Sequence, residues 1–233
     1  MTGVPEQVSI VVPVYNEEST IAGVLDRLLA IPLPIPREII VVNDGSTDGT
    51  AAALAPFKGR EGLTIVDLAR NCGKGHAVRL GFARARGTVV AIQDADLELD
   101  PAQIGSLIAP ILAGDANVVY GSRFLAPRQG PLTAGYAANR FLTGLTNVLY
   151  GSALTDMETC YKVMRVGIAR SLPLQANRFD IEPEITVRLL RAGHRIVERP
   201  VSFTPRSRAA GKKIRAHDGL SAIAVLLKCR FSK

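Results

Sequence analysis

The stretch that decides the organisation of the chain is Val89-Val-Ala-Ile-Gln-Asp-Ala-Asp-Leu-Glu-Leu-Asp-Pro101. An apolar run of strand length ends in carboxylates, and the proline then favours the start of a helix. If the chain stays extended through Asp94 and Asp96, both side chains point to the same side. Carboxylates at the end of a buried strand are costly unless a cation lies between them. The stretch therefore favours a bound cation.

Mg²⁺ or Mn²⁺ fits two such carboxylates, because these ions take oxygen ligands and leave coordination positions for substrate phosphates. A second interpretation stays open, in which Asp100 caps a helix and the earlier acids lie in a solvated turn. A D-x-D match is short and common, so the remainder of the chain has to decide between the two.

Strands and helices alternate on both sides of this stretch. Buried strands are predicted at 8–14, 38–42, 63–68 and 117–122, and helices at 21–29, 48–57, 76–85 and 102–113. This alternation predicts an α/β fold with a Rossmann-like, mostly parallel central sheet and helices on both faces. Ligands of such sheets bind beyond the carboxyl ends of the strands. The polar residues that fall there are Asn16, Asp44, Lys74, Asp94, Asp96 and Arg123.

The alternation breaks after Arg123. We predict an amphipathic helix at 136–150, a loop entering a strand at 156–165, a helix at 182–192, a strand at 195–203 and a last helix at 217–229. The residues predicted on the apolar side of the first of these helices are Phe141, Leu145, Val148 and Leu149. No internal repeat is found, so residues 1–233 are predicted to form a single domain.

Composition limits the classes of partner. The formal net charge of +7 favours anionic partners such as nucleotides, phosphorylated lipids, nucleic acid or a membrane surface. The three cysteines and three histidines are scattered, so neither a disulfide framework nor a His/Cys metal site is predicted. No run approaches the roughly 18 apolar residues that span a bilayer, and no secretory signal follows Met1. We therefore expect a cytoplasmic protein that meets the membrane peripherally at its inner face.

Two turns after predicted strands carry candidate nucleotide contacts. Asp44 is predicted to bind a base or ribose edge, although a turn and a helix cap at Asp48 explain part of its motif. The segment Asn71-Cys-Gly-Lys-Gly75 has the glycines of a phosphate-binding turn before a helix, but not the Walker A spacing. A glycine turn with a solvated Lys74 is the open alternative.

Charged residues of the second half are also candidates. Asp156 or Glu158 is predicted to orient a sugar hydroxyl or to take a proton from an acceptor, and surface pairing with a basic partner is the alternative. The run Arg206–Arg215 contains five cations and no acid, which predicts a flap that closes over a pyrophosphate. A solvated loop and nucleic-acid binding are the alternatives. No aromatic residue interleaves with the run, so we expect no nucleic-acid partner.

Five motifs together resemble those of family 2 glycosyltransferases with the GT-A fold. They are Val12-Pro-Val-Tyr-Asn-Glu17, Val42-Asn-Asp-Gly-Ser-Thr-Asp-Gly-Thr50, Asn71-Cys-Gly-Lys-Gly-His-Ala-Val-Arg-Leu-Gly81, Gln93-Asp-Ala-Asp96 and Gly121-Ser-Arg123. The group they resemble most is the dolichyl- or polyprenyl-phosphate hexose synthases, and the resemblance covers nearly the whole chain. It implies an inverting transfer of a hexose from a nucleotide-sugar to a lipid phosphate.

The resemblance also implies roles for individual residues. It divides the chain into a nucleotide-sugar-binding half, 1–123, and an acceptor-binding half, 124–233, with a basic flap at 205–215. The implied donor-binding residues are Pro13, Tyr15, Glu17, Asp44, Lys74, Asp94, Arg206, Arg208 and Lys212. The implied ligands of Mg²⁺ or Mn²⁺ are Asp94, Asp96 and Glu98. Arg123 and Arg140 would meet the acceptor phosphate, with Asp156 near the sugar; the implied catalytic residues are Asp94, Asp96, Asp156 and Arg123.

Three alternatives remain open at this point. An acceptor with a saccharide or small-molecule hydroxyl would need a base, which Asp156 or Glu158 would supply. A non-catalytic nucleotide- or phospholipid-binding protein is an alternative of a different class. Many relatives carry C-terminal transmembrane helices, whereas the last residues here, 226–233, are expected either to rest on anionic lipid or to form a surface helix.

Overall fold

The computed structural model describes residues 6–127, 133–205 and 216–231. Within these ranges one sheet contains β1 (Val8–Val14), β2 (Arg37–Asn43), β3 (Leu63–Asp67), β4 (Val89–Ile92), β5 (Val118–Ser122), β6 (Lys162–Arg165) and β7 (Ile196–Pro200). The helices there are α1 (Ile21–Ala30), α2 (Thr50–Leu54), α3 (Lys74–Arg84), α4 (Ile104–Leu112), α5 (Ala134–Tyr150), α6 (Val166–Ser171), α7 (Ile181–Arg191) and α8 (Ala216–Phe231). Arg206, Arg208 and Lys212 of the predicted flap lie outside the described residues.

The sheet is mostly parallel, as predicted. Its strand order is β3-β2-β1-β4-β6-β5-β7, and β6 alone among these strands runs antiparallel to its neighbours. The central strands are buried on both faces, because helices cover both sides of the sheet. On α1 the buried residues are Ile21, Val24, Leu25 and Leu28, the spacing of one helix face.

The direction of β6 gathers the site. The carboxyl ends of β1, β2, β4 and β5 lie at one edge of the sheet, and β6 begins at that same edge. Ala91 of β4 pairs with Val163 of β6, which places the residues before β6 beside those that follow β4. The loop that carries Asp156 and Glu158 therefore meets the D-x-D stretch, an arrangement that the strand pattern alone did not specify.

Two local expectations differ from the structure. The strand β4 ends at Ile92, so Asp94 lies in irregular backbone and Asp96 in a bend, rather than both in an extended strand. On α5, Phe141 is 62% exposed and Val148 is 83% exposed, so the predicted apolar side was wrong for both. The helix instead buries Leu142, Thr143 and Thr146.

Threonines reach the buried side of α5 because their hydroxyl groups find partners there. The Thr146 hydroxyl donates to the Leu142 carbonyl at 2.9 Å, and Thr143 Oγ1 accepts from the Met157 N–H at 3.1 Å. In the described part of the chain, no helix has both the length and the apolar composition needed to cross a membrane.

Candidate active site

The turn after β4 is shaped by a buried amide. Gln93 is fully buried, and its Nε2 donates to the Asp94 carbonyl at 3.0 Å. Its Oε1 accepts from the Tyr161 hydroxyl at 2.7 Å, and that hydroxyl also donates to the Asp100 carbonyl at 2.8 Å. The Asp100 side chain accepts from the Ala102 N–H, so the predicted cap exists. The turn is nevertheless not a solvated one, because Asp96 is only 9% exposed.

Four charged side chains of alternating sign run inward from this turn. Lys74 Nζ lies 2.7 Å from Asp94 Oδ1 and 2.8 Å from Glu182 Oε1. Glu182 Oε2 lies 2.6 Å from Nζ of Lys162, which is fully buried. Lys162 also donates to the carbonyls of two residues before β6, Met157 and Thr159. The buried cations and carboxylates of this row neutralise one another, which burial requires.

These contacts set the charges of the row. Burial opposes the charge of Lys74, but Asp94 and Glu182 more than offset this, so the pKa of Lys74 lies well above its usual value. Burial likewise opposes the charge of Asp94, and Lys74 outweighs it, so the pKa of that carboxyl lies below its usual value. Asp94 is therefore an anion with an ammonium group already against it.

The donor set suits a hard divalent ion in part. Asp94 and Asp96 are carboxylate donors two residues apart after β4, and the Lys74 ammonium shows that a cation sits against Asp94. The Glu98 N–H donates to Asp96 Oδ1 at 3.1 Å. Across the described ranges, no group of three or more His, Cys, Asp or Glu side chains is arranged to hold a metal ion. Mg²⁺ needs only one or two carboxylates when substrate phosphates complete its coordination, so the pair fits such an ion.

Asp44 holds the glycine turn in place. Its Oδ1 accepts from the Cys72 N–H at 2.8 Å, and its Oδ2 accepts from the Gly73 N–H at 2.7 Å. The loop of Asp44 also touches this turn, because a Cβ on Gly45 would lie 2.3 Å from the backbone carbon of Arg70. The predicted nucleoside contact of Asp44 remains a prediction; here the carboxylate fixes the turn that presents Lys74.

The other predicted donor-binding residues surround the end of β1. Pro13 is in β1, Tyr15 follows it half-buried, and Glu17 is 7% exposed. The Glu17 N–H donates to Thr50 Oγ1 at 2.8 Å, and the Thr20 hydroxyl donates to Glu17 Oε2 at 2.8 Å. These contacts place Glu17 at the same edge of the sheet as Asp44. Its role towards a nucleotide stays a prediction.

Arg123 and Asp156 form a bidentate ion pair beside the D-x-D turn. Arg123 Nε donates to Asp156 Oδ2 and Nη2 donates to Oδ1, both at 2.7 Å. Asp156 is fully buried, and 15% of the Arg123 side chain is exposed. Burial opposes the charge of Arg123, but Asp156 outweighs it and raises the pKa of the guanidinium. Asp156 thus orients Arg123 here, and its predicted contact with the sugar is untested.

Arg140 and Arg123 both contact the ring of Phe124. The two guanidinium groups lie 5.3 Å and 5.9 Å, respectively, from the centroid of the Phe124 ring. Arg140 Nη1 also donates to the Thr155 carbonyl at 3.3 Å. Glu198 of β7 accepts from the N–H of Thr155 at 2.8 Å, which fixes the loop that contacts both arginines. Two cations therefore contact the same ring, which suits an anion nearby; the contact of Arg123 and Arg140 with an acceptor phosphate stays a prediction.

Glu158 has the most perturbed carboxyl group of this loop. Burial raises the pKa of Glu158 to about 7; Lys162 and Arg123 lower it, while Glu182 and Asp156 raise it. Its Oε1 is buried and has no hydrogen-bond partner among the described residues. A carboxyl group with a pKa near neutrality is suited to accept a proton.

Sequence reasoning missed the inner half of the charged row. Lys162 and Glu182 belong to no predicted site, and neither do Gln93 and Tyr161, which shape the turn. A signal for Lys162 was present, because a lone cation in the apolar segment Cys160–Met164 needs a buried anion. Nothing in the sequence pointed to Glu182 as that anion, since the two residues meet only through the antiparallel β6.

Known proteins match this chain in sequence. Residues 9–172 match the family model described as glycosyl transferase family 2. The chain is 32% identical over 186 residues to the dodecaprenyl-phosphate galacturonate synthase of Rhizobium johnstonii. The match covers 76% of this chain and 53% of the relative. It is 40% identical over 182 residues to the undecaprenyl-phosphate 4-deoxy-4-formamido-L-arabinose transferase of Pseudomonas fluorescens. That match covers 74% of this chain and 53% of the relative. The chain spans about half the length of these relatives.

A solved structure matches over the whole fold. The glucosyl-3-phosphoglycerate synthase of Mycobacterium tuberculosis, in complex with Mn²⁺, uridine diphosphate and phosphoglyceric acid, superposes with a TM-score of 0.75. The identity is 21%, and the match covers 97% of this chain and 79% of that one. A likeness at this identity establishes the fold, and the family match covers most of the chain. The protein belongs to glycosyl transferase family 2 and has the GT-A fold.

Proposed function

We propose that this protein transfers a hexose from a nucleotide-sugar, of the GDP-mannose or UDP-glucose type, to a polyprenyl or dolichyl phosphate. One observation carries the proposal: Asp94 and Asp96 follow β4 at the edge of the sheet, and Lys74 lies against Asp94 there. The two relatives, which are named for dodecaprenyl and undecaprenyl phosphates, support the acceptor. The solved relative, with Mn²⁺ and uridine diphosphate, supports a metal and a nucleotide as ligands of this fold.

The residues that would hold Mg²⁺ or Mn²⁺ are Asp94 and Asp96, with Glu98 as the third implied ligand. When bound, the ion would offset the negative charge that develops on the departing nucleoside diphosphate. Lys74 would add a positive charge on the same side of the leaving group. The flap residues Arg206, Arg208 and Lys212 would act there as well, a role that rests on the basic run and on the resemblance.

The acceptor phosphate would be the nucleophile. Its second pKa is near ~6, so it is already anionic at neutral pH and needs no strong base. One phosphate oxygen would bond to the anomeric carbon as the bond from that carbon to the diphosphate oxygen breaks. The electron pair of the broken bond leaves with the nucleoside diphosphate, and the anomeric centre is inverted. Arg123 and Arg140 would offset the charge of the incoming phosphate.

A transfer assay tests this proposal. Radiolabelled GDP-mannose, UDP-glucose and UDP-galacturonate are each incubated with Mn²⁺ and detergent-dispersed undecaprenyl phosphate, and a butanol-extractable product is expected with one of them. Asp96→Ala should lower the rate at least about a hundredfold. Asp115→Ala, an exposed acid beyond α4, is the matched control and should keep the wild-type rate. A fully active Asp96→Ala enzyme contradicts the proposed metal role, and metal-dependent nucleotide binding without turnover favours the non-catalytic alternative.

A second candidate is transfer to a hydroxyl group of a saccharide or small molecule. Glu158 favours it, because its pKa near 7 and its buried, unpartnered Oε1 are properties of a general base. The two candidates predict opposite results for Glu158→Gln. Transfer to a lipid phosphate needs no base and should persist, whereas transfer to a hydroxyl should fall by about a hundredfold or more.

The lipid acceptor would bring the protein to a membrane, and α8 offers a surface for it. Leu220, Ala224, Leu227 and Phe231 lie at spacings of one helix face and are exposed. Exposed Lys228 and Arg230 lie about 80° to either side of this apolar stripe. Asp218, the one acid of α8, is buried. An apolar stripe with cations at both borders fits the surface of an anionic bilayer, in keeping with the expected place at the inner face of the membrane.

A further inference from the structure

Lys74 lies between two carboxylates in different surroundings. Asp94 is on the open side, and 28% of its side chain is exposed. Glu182 is on the inner side, where only 5% of the side chain is exposed. A ligand that arrives at the edge of the sheet therefore reaches Asp94 and cannot reach Glu182.

The inner partner is held in place. Glu182 Oε2 contacts the fully buried Lys162 at 2.6 Å. The segment before α7 lies directly against the start of α3, because the His76 N–H donates to the Asn177 carbonyl at 3.2 Å. A Cβ on Gly75 would lie 2.4 Å from the Ala176 carbonyl oxygen. This close approach fixes the distance between Glu182, on α7, and the root of the Lys74 side chain.

Lys74 itself is free to change partner. Its ammonium is a compact charge on a flexible stem. It lies 2.7 Å from Asp94 Oδ1 and 2.8 Å from Glu182 Oε1, so it is already in contact with both carboxylates. A small rotation of the stem therefore moves the ammonium away from Asp94 and leaves it beside Glu182.

We propose that Lys74 is an exchangeable counter-ion of Asp94, which Glu182 and Lys162 keep at the site. Lys74 neutralises Asp94 while the site is empty and moves to the donor diphosphate when a divalent metal ion takes Asp94. Asp94, Lys74, Glu182 and Lys162 carry balanced charges, so a metal ion alone adds uncompensated positive charge beside Lys74. A metal ion that arrives with a diphosphate brings its own negative charge. The metal is therefore expected to bind weakly alone and tightly with a nucleotide.

This inference rests on the proposed donor and metal, but its test needs neither an acceptor nor turnover. Binding of Mn²⁺ alone is measured by electron paramagnetic resonance. Lys74→Met should bind Mn²⁺ at least about tenfold more tightly than the wild type, because a competing cation is gone. Lys74→Arg keeps the positive charge, so its affinity for Mn²⁺ should not rise. Lys58→Met removes an exposed lysine that pairs with Asp67 at the end of β3, three strand positions from β4, and is the matched control.

The part of Glu182 is tested with a charge-balanced pair of changes. Glu182→Gln alone leaves Lys162 buried without its anion and is expected to destabilise the fold. Glu182→Gln with Lys162→Met restores the balance, so this double variant should fold. With Mn²⁺ and either UDP or GDP present, it should bind the nucleotide as weakly as Lys74→Met, about tenfold below the wild type. Circular dichroism and thermal melting check that each variant is folded.

Two results would overturn the inference. One is equal affinity of the wild type and Lys74→Met for Mn²⁺ alone. The other is a folded double variant that binds the nucleotide as tightly as the wild type. Both measurements stay meaningful if no sugar is ever transferred, so failure of this inference is distinguishable from failure of the proposed reaction.

Discussion

At the scale of single residues, Glu158 links the site to pH. Burial raises its pKa from the usual 4.5 to about 7, so the folded protein holds a proton that the unfolded chain releases earlier. The stabilisation is complete below pH 4.5 and is lost as the pH rises through 7. Ionisation of Glu158 therefore weakens the folded state at alkaline pH.

The variant Glu158→Gln tests this link. At pH 8 it should raise the free energy of unfolding by about 1 to 3 kcal/mol relative to the wild type, because the amide never ionises. At pH 4, below the usual pKa of 4.5, the difference should be close to zero, since the carboxyl is then largely protonated in both the folded and the unfolded state. Urea unfolding at both pH values measures it, and Glu61→Gln, at an exposed position, is the control. An equal effect of Glu158→Gln at both pH values would contradict the assignment.

At the scale of elements, two turns form one unit through backbone contact. Gly45 has a φ of +65°, and a Cβ there would lie 2.3 Å from the backbone of Arg70. The Asp44 carboxylate accepts hydrogen bonds from the N–H groups of Cys72 and Gly73 in the same turn. The unit sets where α3 begins, and hence where Lys74 points.

Gly45→Ala should separate the two turns. We expect a loss of at least about 2 kcal/mol in the free energy of unfolding, from a left-handed conformation and a backbone clash together. Gly59 has a φ of +78° with nothing within 4 Å of its Cβ position, so Gly59→Ala isolates the conformational effect. That control should cost about 1 kcal/mol. Equal losses of unfolding free energy in the two variants would show that the close contact between Gly45 and the Arg70 backbone does not add to the cost of Gly45→Ala.

At the scale of the whole molecule, the proposed contact of α8 with a lipid surface can be tested with vesicles. Co-sedimentation with vesicles of phosphatidylcholine and phosphatidylglycerol should retain the wild type and release it at high salt. Each of Lys228→Gln and Arg230→Gln should weaken binding by about 1 kcal/mol. Leu227→Glu with Phe231→Glu should abolish it. Equal binding to pure phosphatidylcholine, or a concentration-dependent dimer that the double variant disrupts, would instead assign the stripe to another partner.

Apart from α6, which was not predicted, the sequence by itself determined the order of the strands and α-helices, and the edge where the predicted site residues lie. Apolar runs such as 8–14 and the Val89 strand, each followed by polar residues, were enough for this, because parallel strands end at a common edge. The motifs also gave the family. The same reasoning failed on α5, where Thr143 and Thr146 are buried because their hydroxyls find partners that a hydropathy pattern does not contain.

Only the tertiary structure decided which charges meet. The antiparallel β6 brings Lys162 and the Asp156 loop to the D-x-D turn, and α7 then brings Glu182 to Lys74. The residues of these pairs are up to 108 positions apart in the chain (182 − 74), so local propensity gives no register between them. Burial requires that each cation finds an anion, but the fold alone selects which anion it finds.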